Sequence, residues 1–309
     1  MKTSVRAGLA GTLALAALGV AVGVARHDDG TDPVPPKGPY VALGDSYTAG
    51  PRIPDQNGKP VGCERSDRNY PALVARRLGL AAGDFRDVSC SGATLADLSA
   101  AQVTDDGTNA AQLSALSAGT RLVTLGIGGN DIGFSSMIKQ CVEQGVLYFA
   151  LSRGEHGGED APCRERYASG NTDAVQDKIH AVDERLARTL GEIRRRAPGA
   201  RVYVVGYPAI LPAKDSGCGR EMGLAPGDVA YLHAKERQLN TVLRERADAA
   251  GAGYVDTYTP SVGRDACSSR DTRWVEPLVP LAHAASVHPN ERGERGMADA
   301  VLKTLGAAG

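Results

Sequence analysis

Short apolar runs alternate with stretches of helical periodicity along most of this chain, and that alternation restricts its fold more than any other feature. Tyr40–Leu43, Phe85–Cys90, Arg121–Ile127, Arg201–Gly206 and Gly253–Asp256 read as strands. The third is the clearest, apolar along nearly its whole length, as a strand buried on both faces must be. Between and after them lie helical patterns. Tyr70–Leu80 places Leu73, Val74, Arg77 and Leu78 at helical spacing, with Pro71 near the start, where a helix tolerates it. Asp173–Ala197 lines up Ile179, Val182, Leu186, Leu190 and Ile193; Pro226–Ala250 carries Val229, Leu232, Leu239, Val242 and Leu243; Pro289–Leu305 carries Met297, Val301, Leu302 and Leu305. Strands alternating with helices predict an α/β domain whose parallel sheet is covered on both faces. A chain of 309 residues suits one such core better than two.

The pattern begins only at Tyr40. Residues 1–25 read as an export signal: Lys2 and Arg6 form a basic start, an uncharged apolar stretch runs from Ala7 to Ala25, and small Gly23 and Ala25 flank a cleavage point. An uncleaved anchor is the alternative, since the stretch nearly spans a bilayer. No cysteine stands near that point to carry a lipid. Residues 26–39, with Pro33, Pro35, Pro36 and Pro39, read as a linker, which leaves 40–309 as the folded domain.

Export bears on the six cysteines. In an oxidising compartment an even set without CxxC spacing predicts disulfides rather than a metal site. Many pairings are open; joining neighbours, Cys63–Cys90, Cys141–Cys163 and Cys218–Cys267, closes long loops between core elements. With a formal charge of −1, nothing attracts the chain to nucleic acid or an anionic membrane. The triplet Arg194–Arg196 sits where a last helical turn favours cations, just before Pro198-Gly199.

In an open parallel sheet, ligands bind beyond the carboxyl ends of the strands. Three segments fall there: Gly44-Asp45-Ser46-Tyr47, Ser91-Gly92-Ala93 and Gly128-Gly129-Asn130-Asp131. A serine on a tight turn presents its hydroxyl for attack on a carbonyl. The N–H groups of Ser46 and Gly92 and the side-chain amide of Asn130 are suitable donors for the oxyanion that attack creates. Asp45 and Asp131 read as braces of their turns. Among six histidines, His27 lies in the linker, His156 in a Gly- and Glu-rich loop, and His180 and His233 within helices. His283 and His288 both precede the closing helix, and only His288 adjoins a proline, Pro289, that holds it in a loop. Trp274 suits either an acyl pocket or core packing. No HExxH, Walker loop, GxGxxG or cluster of His and Asp ligands is present, so neither metal nor nucleotide cofactor is expected.

The segment Gly44-Asp45-Ser46-Tyr47-Thr48-Ala49-Gly50, then Gly92, then Gly128-x-Asn130-Asp131, then His288-Pro289-Asn290, resembles the SGNH (GDSL) hydrolases, in particular their secreted actinobacterial lipase and esterase branch. The cysteines also stand as in that branch, and no G-x-S-x-G elbow competes. The resemblance implies a flavodoxin-like three-layer α/β/α sandwich with a five-stranded parallel sheet. It implies Ser46 as nucleophile, His288 as base, and an oxyanion hole from Ser46, Gly92 and Asn130. The family usually carries Asp-x-x-His, but here the tetrad reads Ala285-Ser286-Val287-His288. The only Asp-x-x-His, Asp177 to His180, falls within a helix, where that spacing gives a surface pair. Some members of the branch orient the base with a backbone carbonyl shortly before it, which implies Ser286 or Ala285; a remote carboxylate, Asp271 or Glu276, is the runner-up. The expected protein is a secreted monomer acting on small-molecule esters or lipids, with no cofactor, no nucleic acid and no lasting membrane insertion. Its substrates are acylglycerols or short to medium acyl esters; phospholipase A1 and carbohydrate acetyl esterase are the alternatives. A binding module that keeps the fold without turnover is the reading from another class.

Overall fold

The computed structural model describes residues 36, 38–151, 159–170, 172–214 and 217–307. The export signal and most of the linker expected at 1–39 lie outside these residues, as do His27 and His156.

Strands β1 (Tyr40–Gly44), β2 (Phe85–Asp87), β3 (Leu122–Gly126), β4 (Arg201–Val205) and β5 (Gly253–Val255) form one parallel sheet in the order β2-β1-β3-β4-β5. Helices α1 (Ser46–Ala49), α2 (Tyr70–Arg77), α3 (Phe134–Leu151), α4 (Pro162–Tyr167), α5 (Ala174–Arg196), α6 (Cys218–Met222), α7 (Pro226–Ala249), α8 (Tyr258–Ser261) and α9 (Glu291–Thr304) connect and cover it. This is the flavodoxin-like order. Its chain reverses direction across the sheet between β1 and β3, where the connections diverge and leave a crevice.

Residue alternation explains the three layers. Val41 and Leu43 of β1, Val123 and Leu125 of β3 and Val204 of β4 join a core with Val182 and Leu186 of α5 and Leu239 and Leu243 of α7. Their neighbours Tyr40, Ala42, Leu122, Tyr203 and Val205 point the other way, into a core with Val74 of α2 and Val301 and Leu302 of α9. Each fully buried aliphatic side chain contributes about 1.5–3 kcal/mol, so slipping one strand by a single residue would forfeit several such terms at once.

Helix boundaries follow local chemistry. Asp173 accepts from the N–H groups of Val175 (2.9 Å) and Gln176 (3.0 Å) at the start of α5, and Asn290 accepts from Arg292 (2.9 Å) and Gly293 (3.0 Å) at the start of α9. The closing helix therefore begins after Pro289, not on it. Strand β2 ends before the predicted Cys90, although the N–H groups of Val88 and Cys90 still donate to Ala42 and Gly44, each at 3.0 Å. Arg195 and Arg196 pair with Glu192, and Arg194 and Arg196 also donate to the carbonyls of Ala250 and Leu113, which ties the basic triplet to its own fold. His180 lies exposed on α5 beside Gln176.

Helix α3 had no counterpart in the sequence reading. Its Gly145 lies so close to Gly223 that a Cβ there would overlap the Gly223 carbonyl oxygen, which accounts for a glycine in mid-helix. Disulfides join Cys63 to Cys90, Cys141 to Cys163 and Cys218 to Cys267. The first ties the loop after β2 to the segment following α1, and the N–H of Ser91 donates to the Cys63 carbonyl at 3.1 Å.

Candidate active site

The chain leaves β1 through a turn that only glycine can make at position 44. A Cβ there would stand 2.6 Å from the Gly126 carbonyl oxygen and overlap the Thr48 hydroxyl. Gln112 fastens this glycine from both sides, accepting from its N–H at 2.8 Å and donating to its carbonyl at 2.9 Å. Asp45 then caps α1 by accepting from the N–H of Tyr47 at 2.9 Å. Ser46 thereby becomes the first residue of α1, 8% exposed, and its own N–H has no acceptor among the described residues.

His288 arrives from the far end of the chain. Val275 and Pro289 form an isolated bridge, the Glu276 N–H donates to the His288 carbonyl at 3.0 Å, and the Val287 N–H donates to the Glu276 carbonyl at 3.1 Å. The imidazole lies between two oxygens: Nδ1 is 2.8 Å from the Ser286 carbonyl and Nε2 is 2.8 Å from the Ser46 hydroxyl. A carbonyl only accepts, so Nδ1 carries the proton and Nε2 is left to accept from Ser46. Burial holds the imidazole below its ordinary value; the hydrogen bond to Ser286 opposes this and the cation of Arg52 adds to it. The ring is therefore neutral at neutral pH.

The acceptor at Nδ1 belongs to Ser286. The Ala285 carbonyl instead accepts from the backbone N–H of His288 at 3.3 Å. Neither remote carboxylate reaches the ring. Glu276 is 1% exposed, and its oxygens accept from the N–H groups of Leu281 (2.8 Å) and Ala282 (3.2 Å) and from the Asn290 amide (2.7 Å). It shapes the loop that carries His288. Asp271 is exposed, and both ring nitrogens of the histidine are engaged by Ser286 and Ser46 instead. Trp274 packs under Gly296 of α9, away from the cavity described below, so of its two readings core packing is the one observed.

Two further turns follow strands at the same end of the sheet as the serine. Gly92 is the third residue of a turn closed by Ala93 N–H donating to the Cys90 carbonyl at 3.0 Å, and its φ of 78° suits glycine. Its N–H has no acceptor among the described residues. Asn130 follows β3; its Nδ2 donates to the Ala93 carbonyl at 2.9 Å, which leaves the second amide hydrogen without an acceptor among the described residues. Asp131 accepts from the N–H of Leu95 at 3.0 Å and meets Arg185 at 3.5 Å, in the bracing part.

Two tyrosines that the sequence did not single out connect these pieces. Tyr207, just past β4, donates to Asp45 at 2.5 Å and accepts from the Gly129 N–H at 2.8 Å, linking the turn before Ser46 to the turn before Asn130. Burial pushes the Asp45 carboxyl up to about 7, with the Tyr207 hydrogen bond opposing. Its place at a strand end was the available signal. Tyr47 donates to the Val287 carbonyl at 2.5 Å.

Ser46, Asn130 and His288 line a cavity of about 450 Å³, whereas Gly92 does not. Its walls are apolar, formed by Phe134, Ile138 and Val142 of α3 with Ile210, Leu239 and Leu278. The size and character suit an acyl chain. Glu236 also contributes; burial holds its carboxyl well above the ordinary range, and one oxygen accepts from the Ile210 N–H at 3.1 Å. Among the described residues no group of three His, Cys, Asp or Glu side chains gathers as metal ligands.

Residues 42–295 match the GDSL-like lipase/acylhydrolase family. The chain belongs to that family. It is 41% identical over 269 residues to Lipase 2 of Streptomyces coelicolor, covering 86% of this chain and 85% of the relative. Among solved structures, a phospholipase A1 from Streptomyces albidoflavus superposes with a TM-score of 0.69 at 27% identity, over 88% of this chain and 99% of that one. An extracellular lipase from Streptomyces rimosus gives 0.67 at 29% identity, over 88% and 100%. As a GDSL-like acylhydrolase, the protein is a carboxylic ester hydrolase.

Proposed function

We propose that the protein is a secreted lipase-type esterase that hydrolyses acylglycerols or short to medium acyl esters through an acyl-enzyme on Ser46. One observation carries the reading: the Ser46 hydroxyl stands 2.8 Å from an imidazole nitrogen whose partner nitrogen is held by a carbonyl, at an apolar cavity. His288 takes the Ser46 proton as the oxygen attacks the ester carbonyl, and the imidazolium then gives that proton to the departing alkoxide. Water, deprotonated by the same nitrogen, attacks the acyl-enzyme; the acid leaves and Ser46 regains its proton. The N–H groups of Ser46 and Gly92 and the free amide hydrogen of Asn130 receive the oxyanion. Export with loss of residues 1–25 fits the disulfides and the extracellular lipase among the relatives. The mature enzyme acts as a monomer, without nucleic acid.

The substrate test is a panel of nitrophenyl esters of increasing chain length, with triacylglycerol and phosphatidylcholine alongside. We expect kcat/KM to rise with chain length while the chain fits the cavity and then to fall, with triacylglycerol cleaved. The likeness to a phospholipase A1 favours a second outcome, faster release of the sn-1 acyl group from phosphatidylcholine. Activity confined to acetyl esters would overturn the acyl-chain reading.

The pH profile follows from the imidazole. Only neutral His288 accepts a proton, and its pKa is lowered, so kcat/KM should persist in mild acid and fall only below the ordinary histidine value of about 6.5. Because Asp45 titrates nearby, the profile should be recorded in wild type and in Asp45→Asn. An acid limb centred above neutrality in both proteins contradicts the assignment of His288 as base.

A further inference from the structure

The base of this site is oriented by its own turn. Ser286 supplies the acceptor and His288 the ring, two residues apart, and the Ala285 carbonyl closes the turn on the His288 N–H at 3.3 Å. A carboxylate on a separate element would hold the ring from outside the turn, whatever the turn's own dihedral angles. A carbonyl in the same turn holds it only while the backbone between them is fixed. That backbone is strained: Val287 has a φ of 59°, in the left-handed region, which a β-branched residue rarely adopts. Relaxation of Val287 would rotate the peptide planes on both sides and swing the Ser286 carbonyl away from Nδ1.

Two hydrogen-bonded groups resist this. The Val287 N–H is held by the Glu276 carbonyl at 3.1 Å, and the Val287 carbonyl accepts from the Tyr47 hydroxyl at 2.5 Å. Tyr47 is next in sequence to Ser46, so the second bond connects the turn of the base directly to the turn of the nucleophile. Its ring also lies against the imidazole, with centroids 4.9 Å apart and planes inclined by 35°, and meets Tyr207 edge-on at 5.1 Å.

We propose that Tyr47 is a positioning residue, whose hydroxyl pins the Ala285–His288 turn so that the Ser286 carbonyl, the imidazole and the Ser46 hydroxyl stay in line. The inference rests on the reading of Ser46 and His288 as nucleophile and base. It makes the residue after the serine a functional substitute for the firmness that a carboxylate would give the histidine.

Tyr47→Phe keeps the ring contacts and deletes one hydrogen bond. We expect kcat for a nitrophenyl ester to fall roughly ten- to a hundredfold, as for a slightly misplaced catalytic group, with KM within about twofold. The low-field proton resonance expected for the His288 Nδ1–H of the wild type should broaden or shift in the variant, and circular dichroism should be unchanged. An unchanged kcat and resonance overturns the proposal. So does a rise in KM alone, which would make Tyr47 a substrate contact, or a loss of activity that tracks only a lowered melting temperature. Should Tyr47→Phe fail to fold, 3-fluorotyrosine placed at 47 alone makes the phenol a stronger donor; an unchanged resonance and kcat then overturns the idea equally. Ser46→Ala run beside it separates the two claims. Turnover surviving in Ser46→Ala defeats the underlying site, whereas an inert Ser46→Ala beside a fully active Tyr47→Phe defeats only the role of Tyr47.

Discussion

Ser46→Ala should yield a folded protein that turns over nitrophenyl esters at least ~10⁴-fold more slowly than wild type, the scale on which removal of a serine nucleophile lowers kcat in enzymes of this chemistry. Folding should survive because the change deletes one oxygen whose bond is to His288, while the turn is held by Gln112 on Gly44 and by the Asp45 cap. Neither fixture involves the hydroxyl. His288→Ala should cost a comparable amount, and the double variant little more than either alone, since the two groups act in one proton transfer. Stopped-time ester assays with melting curves on the same preparations check this. A Ser46→Ala protein within tenfold of wild type would assign the hydrolysis to another residue.

The same fixtures explain why some parts of the molecule could be read from its sequence. Strands buried on both faces need apolar runs, and helices packed by one stripe need a repeating spacing, so β1, β3, α5, α7 and α9 announced themselves. Helix α3 did not. It carries Gly145 in mid-length and sets apolar side chains on more than one face, with Met137 and Ile138 buried and Val146, Leu147 and Leu151 exposed. Missing it meant missing the Phe134, Ile138 and Val142 wall of the cavity. At the site, the order of the strands brings Ser46, Gly92 and Asn130 to one end of the sheet, because each follows a strand at its carboxyl end. The choice between Ser286 and Ala285 had no such signal, since every residue has a carbonyl and only the turn decides which one faces Nδ1. Tyr47 and Tyr207 were hidden for a related reason: a lone tyrosine is ordinary, and its hydroxyl finds its partner across 240 and 162 positions of chain.

Asn130→Ala should lower kcat about 10²- to 10³-fold, or roughly 2.7–4 kcal/mol of barrier, with KM within a few-fold. Of the three proposed donors it alone can be deleted by changing a side chain. The N–H groups of Ser46 and Gly92 belong to the backbone, and alanine at 92 would keep its amide while placing a Cβ at a φ of 78°. The Asn130 amide is prepared for its part: one hydrogen is committed to the Ala93 carbonyl at 2.9 Å, which orients the other without any rearrangement during reaction. That anchor sits next to Gly92, so the two turns bearing the proposed donors are fixed to each other as well as to the serine turn through Tyr207. Asn130→Asp sharpens the test. It preserves shape but brings a carboxylate toward the developing oxyanion and removes the donor, so it should be at least as damaging as alanine at neutral pH. Fluorophosphonate labelling of Ser46 should slow in both variants, because phosphonylation places a negative oxygen at the same point. If Asn130→Ala retains wild-type kcat and labelling rate, the oxyanion is received by the two backbone amides alone, and Asn130 serves only to hold the Gly92 turn.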